Sequence, residues 1–247
     1  MDIIALLKKL IEIPSVSGNE SAKADFLCSV LSANGCKVNR YNDNLWCIAQ
    51  SYEAKKPTIM LNSHIDTVKP NASWTYEPNK ATELGDRIYG LGSNDAHASV
   101  VALIETFLRL RETEQSYNLI LALSAQEEVS GKDGMEGLLK ELPKIDFAVV
   151  GEPTGMRMAI AEKGLMVLDC VAHGISGHAA RDEGDNAIYK AIKDIAWFRT
   201  YEFPKVSETL GKVKMSVTVI NAGTQHNVVP DTCSFTVDVR LTDCYSH

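Results

Sequence analysis

Short apolar segments alternate with longer helical segments through the first 150 residues of the chain. A helix that returns the chain to the same edge of a sheet places the strands before and after it in parallel. The alternation therefore predicts an α/β domain with a mostly parallel sheet. Its predicted helices cover residues 3–11, 21–31, 98–110 and 135–141, and its predicted strands cover 37–50, 57–61, 118–124 and 147–150.

The pattern changes after Lys163, where a strand, a helix and two further strands follow one another. These elements are predicted over residues 165–172, 186–198, 214–220 and 233–240. This order is the beginning of a ferredoxin-like α+β sandwich, which would require one more helix and strand. We therefore predict two domains, residues 1–162 and residues 163–247, of which the second is C-terminally incomplete.

The charge distribution argues against several classes of partner. Net charge is −7, and lysines and arginines are scattered, so no nucleic-acid-binding surface is indicated. The N-terminus lacks a signal-peptide pattern, and no stretch approaches the roughly 18–20 apolar residues of a membrane span. We expect a cytoplasmic protein that acts on small molecules, without nucleic-acid or membrane partners.

Histidine and carboxylate residues follow the ends of successive predicted strands. A lone His-x-Asp or Glu-Glu pair is usually a solvated surface feature, but several at one sheet edge are difficult to obtain by chance. Ligands bind at the carboxyl edge of open α/β sheets, and one imidazole with several carboxylates suits zinc. The residues are His64, Asp66, Asp95, Glu127, Glu128 and Glu152.

Three of these residues have roles that follow from chemistry and local geometry. Asp95 is the expected bridge between two metal ions, because a carboxylate has two oxygens. Glu127 and Glu128 are adjacent, and extended backbone would point them in opposite directions, so we expect one to bind metal and the other to reach water. Asp66 lies two residues after His64 and can accept the second imidazole N–H.

Four segments resemble the metal motifs of the acetylornithine deacetylase, succinyl-diaminopimelate desuccinylase and aminoacylase family. They are residues 61–68 (LNSHIDTV), 90–95 (GLGSND), 126–128 (QEE) and 151–154 (GEPT). The resemblance implies a zinc-peptidase-like catalytic domain with two zinc ions per complete subunit, for which cobalt can substitute. It also implies a non-proline cis peptide between Asp95 and Ala96.

The same resemblance assigns a role to each metal-site residue. His64 and Glu152 would bind one zinc, Asp95 would bridge, and Glu128 would bind the second zinc. Glu127 would be the general base, and Asp66 would orient His64.

The second domain carries family motifs at residues 176–181 (SGHAAR) and 221–230 (NAGTQHNVVP). In the family this domain forms the homodimer and covers the site. The resemblance implies that His178 stabilises the oxyanion in the partner's site and that Asn227 and Arg240 bind the substrate carboxylate. A histidine donor suits an oxyanion, and an arginine fork suits a carboxylate.

Two departures from the family pattern affect the expected metal content. The family takes one more histidine ligand from a C-terminal segment that this sequence does not contain, so we expect one zinc held well and the second poorly. His97 replaces a small residue of the relatives. We expect it at the polar rim of the site, with metal contact as the less favoured alternative.

The resemblance is greatest to bacterial acetylornithine deacetylases, including the branch that prefers succinylornithine. It implies hydrolysis of N-acetylornithine to ornithine and acetate in arginine biosynthesis, with N-succinylornithine as the alternative substrate. Two further alternatives are a dipeptidase or aminopeptidase with the same zinc pair, and a truncated chain with little activity.

Overall fold

The computed structural model describes residues 1–49 and 52–246, which divide into two units, Met1–Met156 and Arg157–His247. The division falls between Met156 and Arg157, whereas the sequence placed the domain boundary between residues 162 and 163. Gln50, the last residue of the predicted strand 37–50, lies outside the described residues, as does His247.

The first unit contains four helices and seven strands among its described residues. The predicted helix 98–110 and the predicted strands 118–124 and 147–150 are confirmed with the same bounds. The elements are α1 (Ile3–Glu12), α2 (Ser21–Ala33), β1 (Asn39–Tyr41), β2 (Asn44–Ile48), β3 (Thr58–His64), β4 (Thr82–Leu84), β5 (Arg87–Tyr89), α3 (Ala98–Leu110), β6 (Asn118–Ser124), α4 (Met135–Leu138) and β7 (Phe147–Val150).

The main sheet of this unit has the strand order β1-β2-β6-β3-β7. Strand β3 pairs in parallel with β6 and β7, but β2 is antiparallel to both β1 and β6. The expected mostly parallel sheet is therefore a mixed one. The reason is a two-residue turn between β1 and β2 at Asn42-Asp43, in which Asn42 has a φ of 51°. A turn this short can join two paired strands only when they are antiparallel.

Strand β6 is buried along its whole length, between two layers of apolar side chains. Leu119, Leu121 and Leu123 face a core that helices α1, α2 and α3 also line, while Ile120 and Ala122 pack with α4 on the opposite face. This alternation is the period-two geometry of a strand. It leaves no residue of β6 exposed, so the functional side chains of this strand must come from the residues that follow it.

The second unit is an antiparallel sheet covered by a helix. Its sheet has the order β10-β12-β8, and the buried side chains of β12 pack against α5. The predicted order of strand, helix, strand and strand is observed, while the ferredoxin-like assignment stays a prediction. The elements are β8 (Gly164–His173), β9 (Gly177–His178), α5 (Ala187–Thr200), β10 (Lys214–Ala222), β11 (Val228–Val229) and β12 (Thr232–Leu241).

Within residues 1–49 and 52–246, no helix has both the length and the apolar character needed to cross a membrane.

Replacing Leu121, which is fully buried in β6, with alanine should lower the free energy of unfolding by about 2–5 kcal/mol, because the core cannot fully collapse around the cavity. Leu84→Ala is the matched control, since Leu84 is 47% exposed on β4 and its loss should cost less than about 0.5 kcal/mol. Urea denaturation of both variants measures the difference. Equal losses would contradict the assignment of the core.

Candidate metal centre

The three parallel strands β6, β3 and β7 are neighbours, and each is followed by residues of the predicted metal site. Strand β3 ends at His64, β6 is followed by Glu127 and Glu128, and β7 is followed by Glu152. Parallel strands end at one edge of a sheet, so pairing of these strands brings the residues together.

His64, Asp95 and Glu152 form a compact cluster, with one ligand atom from each lying within 4.8 Å of the others. The His64 Nε2 atom lies 3.0 Å from Asp95 Oδ1 and 3.7 Å from Glu152 Oε1. His64 is buried, while the carboxylates of Asp95 and Glu152 remain partly exposed. One nitrogen and two carboxylates that converge at an accessible position fit a divalent cation such as zinc.

The imidazole of His64 is oriented by Asp66. Its Nδ1 atom lies 3.1 Å from the Asp66 carbonyl oxygen and 3.4 Å from Asp66 Oδ1, so Nδ1–H donates and Nε2 faces the cluster. Burial alone lowers the pKa of His64, but the hydrogen bonds to Asp66 and Glu152 outweigh it and raise the pKa to about 11.

Asp66 is fully buried and accepts hydrogen bonds from two loops. Its carboxylate accepts from Ser17 Oγ at 2.7 Å and from the backbone N–H groups of Glu127 and Glu128 at 3.0 and 3.1 Å. Burial raises the pKa of Asp66, but the bonds from His64 and Ser17 and from the two backbone groups leave it below its ordinary value. Asp66 therefore remains ionised and fixes the backbone that carries Glu127 and Glu128.

Glu127 and Glu128 lie in a short 3₁₀ turn, Glu127–Val129, and not in the extended backbone expected from the sequence. Gln126 and Ser130, on either side of the turn, have left-handed φ angles of 57° and 48°. Burial raises the pKa of both glutamates, which is the direction required of a general base that works near neutral pH. Neither belongs to the three-residue cluster, although the Asp95 charge contributes to both shifts.

Asp95 lies in the turn Ser93–His97, and the peptide bond between Asp95 and Ala96 is cis, as the resemblance implied. The turn is entered through Gly92, whose φ of 73° is in the left-handed region. A Cβ atom at this position would come within 2.8 Å of His97 Nδ1. Glycine is therefore required here for the backbone conformation and for the close approach of His97.

The expected position of His97 at the polar rim is wrong. His97 is 1% exposed, and its Nε2 atom lies 2.6 Å from the Nζ atom of Lys23, which is also 1% exposed. Lys23 lies near the beginning of α2, so this contact joins that helix to the turn Ser93–His97. Sequence reasoning missed Lys23, because lysine is almost never fully buried and its helical spacing gives no sign of such a contact.

Residues just before α2 also contact the site loops. Ser15 Oγ donates to the Ile65 carbonyl at 2.8 Å, and the fully buried Glu20 accepts from the Gln126 N–H at 3.0 Å. Neither residue is predicted as part of the site from the sequence. Their only signal is a polar run, residues 15–20 (SVSGNE), between two predicted helices.

In the second unit, the structure brings His178 and Asn227 together but not Arg240. The Ala179 N–H donates to the Asn227 carbonyl at 3.0 Å, and Val228 pairs with His178. Arg240 is eight residues along β12 from Thr232, which pairs with His173 at the other end of the sheet. Eight strand residues span roughly 27 Å, so Arg240 lies far along β12 from Thr232.

The chain belongs to the peptidase family M20/M25/M40, whose family model matches residues 60–241. This match confirms the resemblance read from the metal motifs.

Individual relatives are similar to nearly the whole chain. Succinyl-diaminopimelate desuccinylase of Wolbachia pipientis wMel is 26% identical over 97% of the chain and 65% of its own length. The enzyme of the same name from Corynebacterium glutamicum is 30% identical over 97% of the chain and 66% of its own length. A tripeptidase structure from Staphylococcus aureus has a TM-score of 0.72 at 23% identity, covering 98% of the chain and 66% of that protein. The chain therefore spans just under two thirds of these relatives.

Stability should depend on pH through Lys23. Burial lowers the pKa of Lys23 from 10.5 to about 7, opposed by the Asp66 charge. Between about pH 7 and pH 10.5, Lys23 binds more protons in the unfolded chain than in the folded one. The Lys23 contribution to the free energy of unfolding therefore rises with pH across that window and is constant below it. Measured by urea denaturation, the free energy of unfolding of the parent minus that of Lys23→Met should increase with pH. A flat difference would mean that Lys23 keeps an ordinary pKa.

Proposed function

We propose that the protein is a zinc-dependent amidohydrolase that removes the acyl group from an N-acyl amino acid. The observation that carries this proposal is the convergence of His64, Asp95 and Glu152 beside Glu127, a carboxylate with a raised pKa. The match to peptidase family M20/M25/M40 supports the same reaction class, hydrolysis of an amide bond.

The residues present can divide the reaction among them. A divalent cation held by His64, Asp95 and Glu152 would act as a Lewis acid on the scissile carbonyl. Glu127 takes a proton from the attacking water and returns it to the leaving amine. Asp66 keeps His64 in the required tautomer.

A second ion is also part of the proposal. Asp95 and Glu128 would hold it, because the charge of Asp95 is the largest electrostatic contribution to the raised pKa of Glu128. Cobalt is expected to replace zinc at both positions, since nitrogen and oxygen ligands accept either ion.

The succinyl group is the acyl group that we place first. The two relatives described above are named succinyl-diaminopimelate desuccinylases, which favours a succinylated substrate over N-acetylornithine. N-acetylornithine and N-succinylornithine remain candidates from the sequence motifs. A free dipeptide is the alternative that would place the protein with the peptidases of the family.

The second unit is proposed to supply substrate contacts and a homodimer interface. His178 would stabilise the oxyanion, and Asn227 and Arg240 would bind the substrate carboxylate.

Glu127→Gln should reduce turnover by about 100- to 10,000-fold, because the amide cannot accept the proton of the attacking water. Its zinc content should equal that of the parent, since Glu127 lies outside the ligand cluster. Turnover of an N-succinyl amino acid and metal analysis of the same samples test both statements. Glu136→Gln, on the exposed face of α4, is the control that should change neither. A zinc-replete Glu127→Gln protein with parental turnover would refute the general-base assignment.

In a side-by-side assay, N-succinyl amino acids should be hydrolysed faster than N-acetylornithine, and both faster than dipeptides. The panel is N-succinyl-diaminopimelate, N-succinylornithine, N-acetylornithine and a set of dipeptides, each compared by kcat/KM with the zinc-loaded protein. Dipeptides as the best substrates would replace the deacylase proposal with a peptidase. A preference for the acetyl compound would overturn only the order of acyl groups.

A further inference from the structure

Lys23 and His97 form a buried polar pair directly behind the turn that carries Asp95. Both residues are 1% exposed, and the Nζ and Nε2 atoms are 2.6 Å apart. Lys23 belongs to α2, while His97 is the last residue of the turn Ser93–His97. The pair therefore connects a core helix to the segment that bears a candidate metal ligand.

The pair is linked by a single short contact inside the protein. Lys23 Nζ can donate to His97 Nε2, since both the ammonium and the amine form of lysine carry N–H groups. Both side chains are withdrawn from solvent, so neither nitrogen exchanges this contact for one with bulk water.

A stable core does not require such a pair. Two apolar side chains of similar volume would fill the same space without the desolvation of an amine and an imidazole. An apolar pair would not fix the orientation of its side chains. A hydrogen bond does, because it restricts the position of the imidazole and of the backbone attached to it.

Asp95 has little else to restrict it. Its side chain is 55% exposed, and its one hydrogen bond among the described residues is to His64 Nε2, the atom that would also face the metal. Asp95 and Ala96 have non-helical backbone angles, so helical hydrogen bonds do not define this part of the turn. At the end of the turn, the His97 N–H donates to the Gly92 carbonyl at 2.9 Å, and the His97 side chain contacts Lys23.

We propose that Lys23 and His97 are positioning residues, which set the place of the Asp95 carboxylate and thereby the affinity of the site for its metal. The proposal rests on the metal centre described under the proposed function. It extends a pattern in the same region, where Ser17 bonds to Asp66 and Glu20 bonds to the loop of Glu127. The beginning of α2 and the residues before it thus contact three loops of the site.

The test separates positioning from stability with four variants of the chain. Lys23→Met combined with His97→Leu replaces the pair with apolar side chains, and His97→Gln keeps an acceptor near the position of Nε2. Lys23→Met alone removes the donor. Leu31→Ala, a fully buried position elsewhere on α2, is the control for a general loss of stability.

Zinc affinity is measured by calorimetric titration of the metal-free proteins, and the geometry of the site by the absorption spectrum of bound Co²⁺. The double variant should unfold at a urea concentration no lower than the parent, yet bind zinc about 10- to 100-fold more weakly and show a changed Co²⁺ spectrum. His97→Gln should recover most of the affinity. Leu31→Ala should lower stability while binding zinc as the parent does.

Parental zinc affinity and an unchanged Co²⁺ spectrum in the double variant would overturn the positioning role. The same conclusion follows if Leu31→Ala weakens zinc binding as much as the double variant does. A parent chain that binds no zinc would overturn both this proposal and the metal centre. If the parent binds zinc and hydrolyses none of the substrates, the proposed reaction fails, while the zinc affinities of the variants still decide the role of the pair.

Discussion

The rest of the site depends on the burial of one carboxylate. Asp66 is removed from solvent, and an ionised carboxylate in that position is tolerable only when hydrogen-bond donors surround it. The donors come from separate parts of the chain: the His64 imidazole, the Ser17 hydroxyl and the N–H groups of Glu127 and Glu128. To satisfy Asp66, the end of β3, the segment before α2 and the loop after β6 must meet. These contacts between the three segments also place His64 and the two glutamates at the edge of the sheet.

Features that depend on local pattern could be predicted from the sequence. Strand β6 is an unbroken apolar run, and α3 begins where the polar turn ends, so periodicity alone locates both. The metal-site residues could be selected because each follows a strand, and the carboxyl ends of parallel strands share one edge. The cluster of His64, Asp95 and Glu152 is the result of that topology.

Features that depend on contacts between distant segments could not be predicted in the same way. Nothing local distinguishes Lys23 from the exposed lysines of other helices, since its buried contact is with His97, which lies 74 residues later in the chain. The hairpin at Asn42-Asp43 was hidden within a single predicted strand, and it converts the sheet to a mixed one. The 3₁₀ turn of Glu127 and Glu128 depends on hydrogen bonds to Asp66, which lies about 60 residues earlier.

Arg240 illustrates a different consequence of a fixed hydrogen bond. Its Nε and Nη2 atoms donate to the two carboxylate oxygens of Asp238, at 2.9 and 3.1 Å. An arginine held in this way has already lost much of its rotamer freedom during folding, so an anion that binds it restricts it less. Three of the five N–H donors of the guanidinium remain for that anion. Asp238 thus restricts the orientation of the Arg240 guanidinium and offsets its charge, so any anion that binds there is selected more by shape than by simple attraction of negative charge.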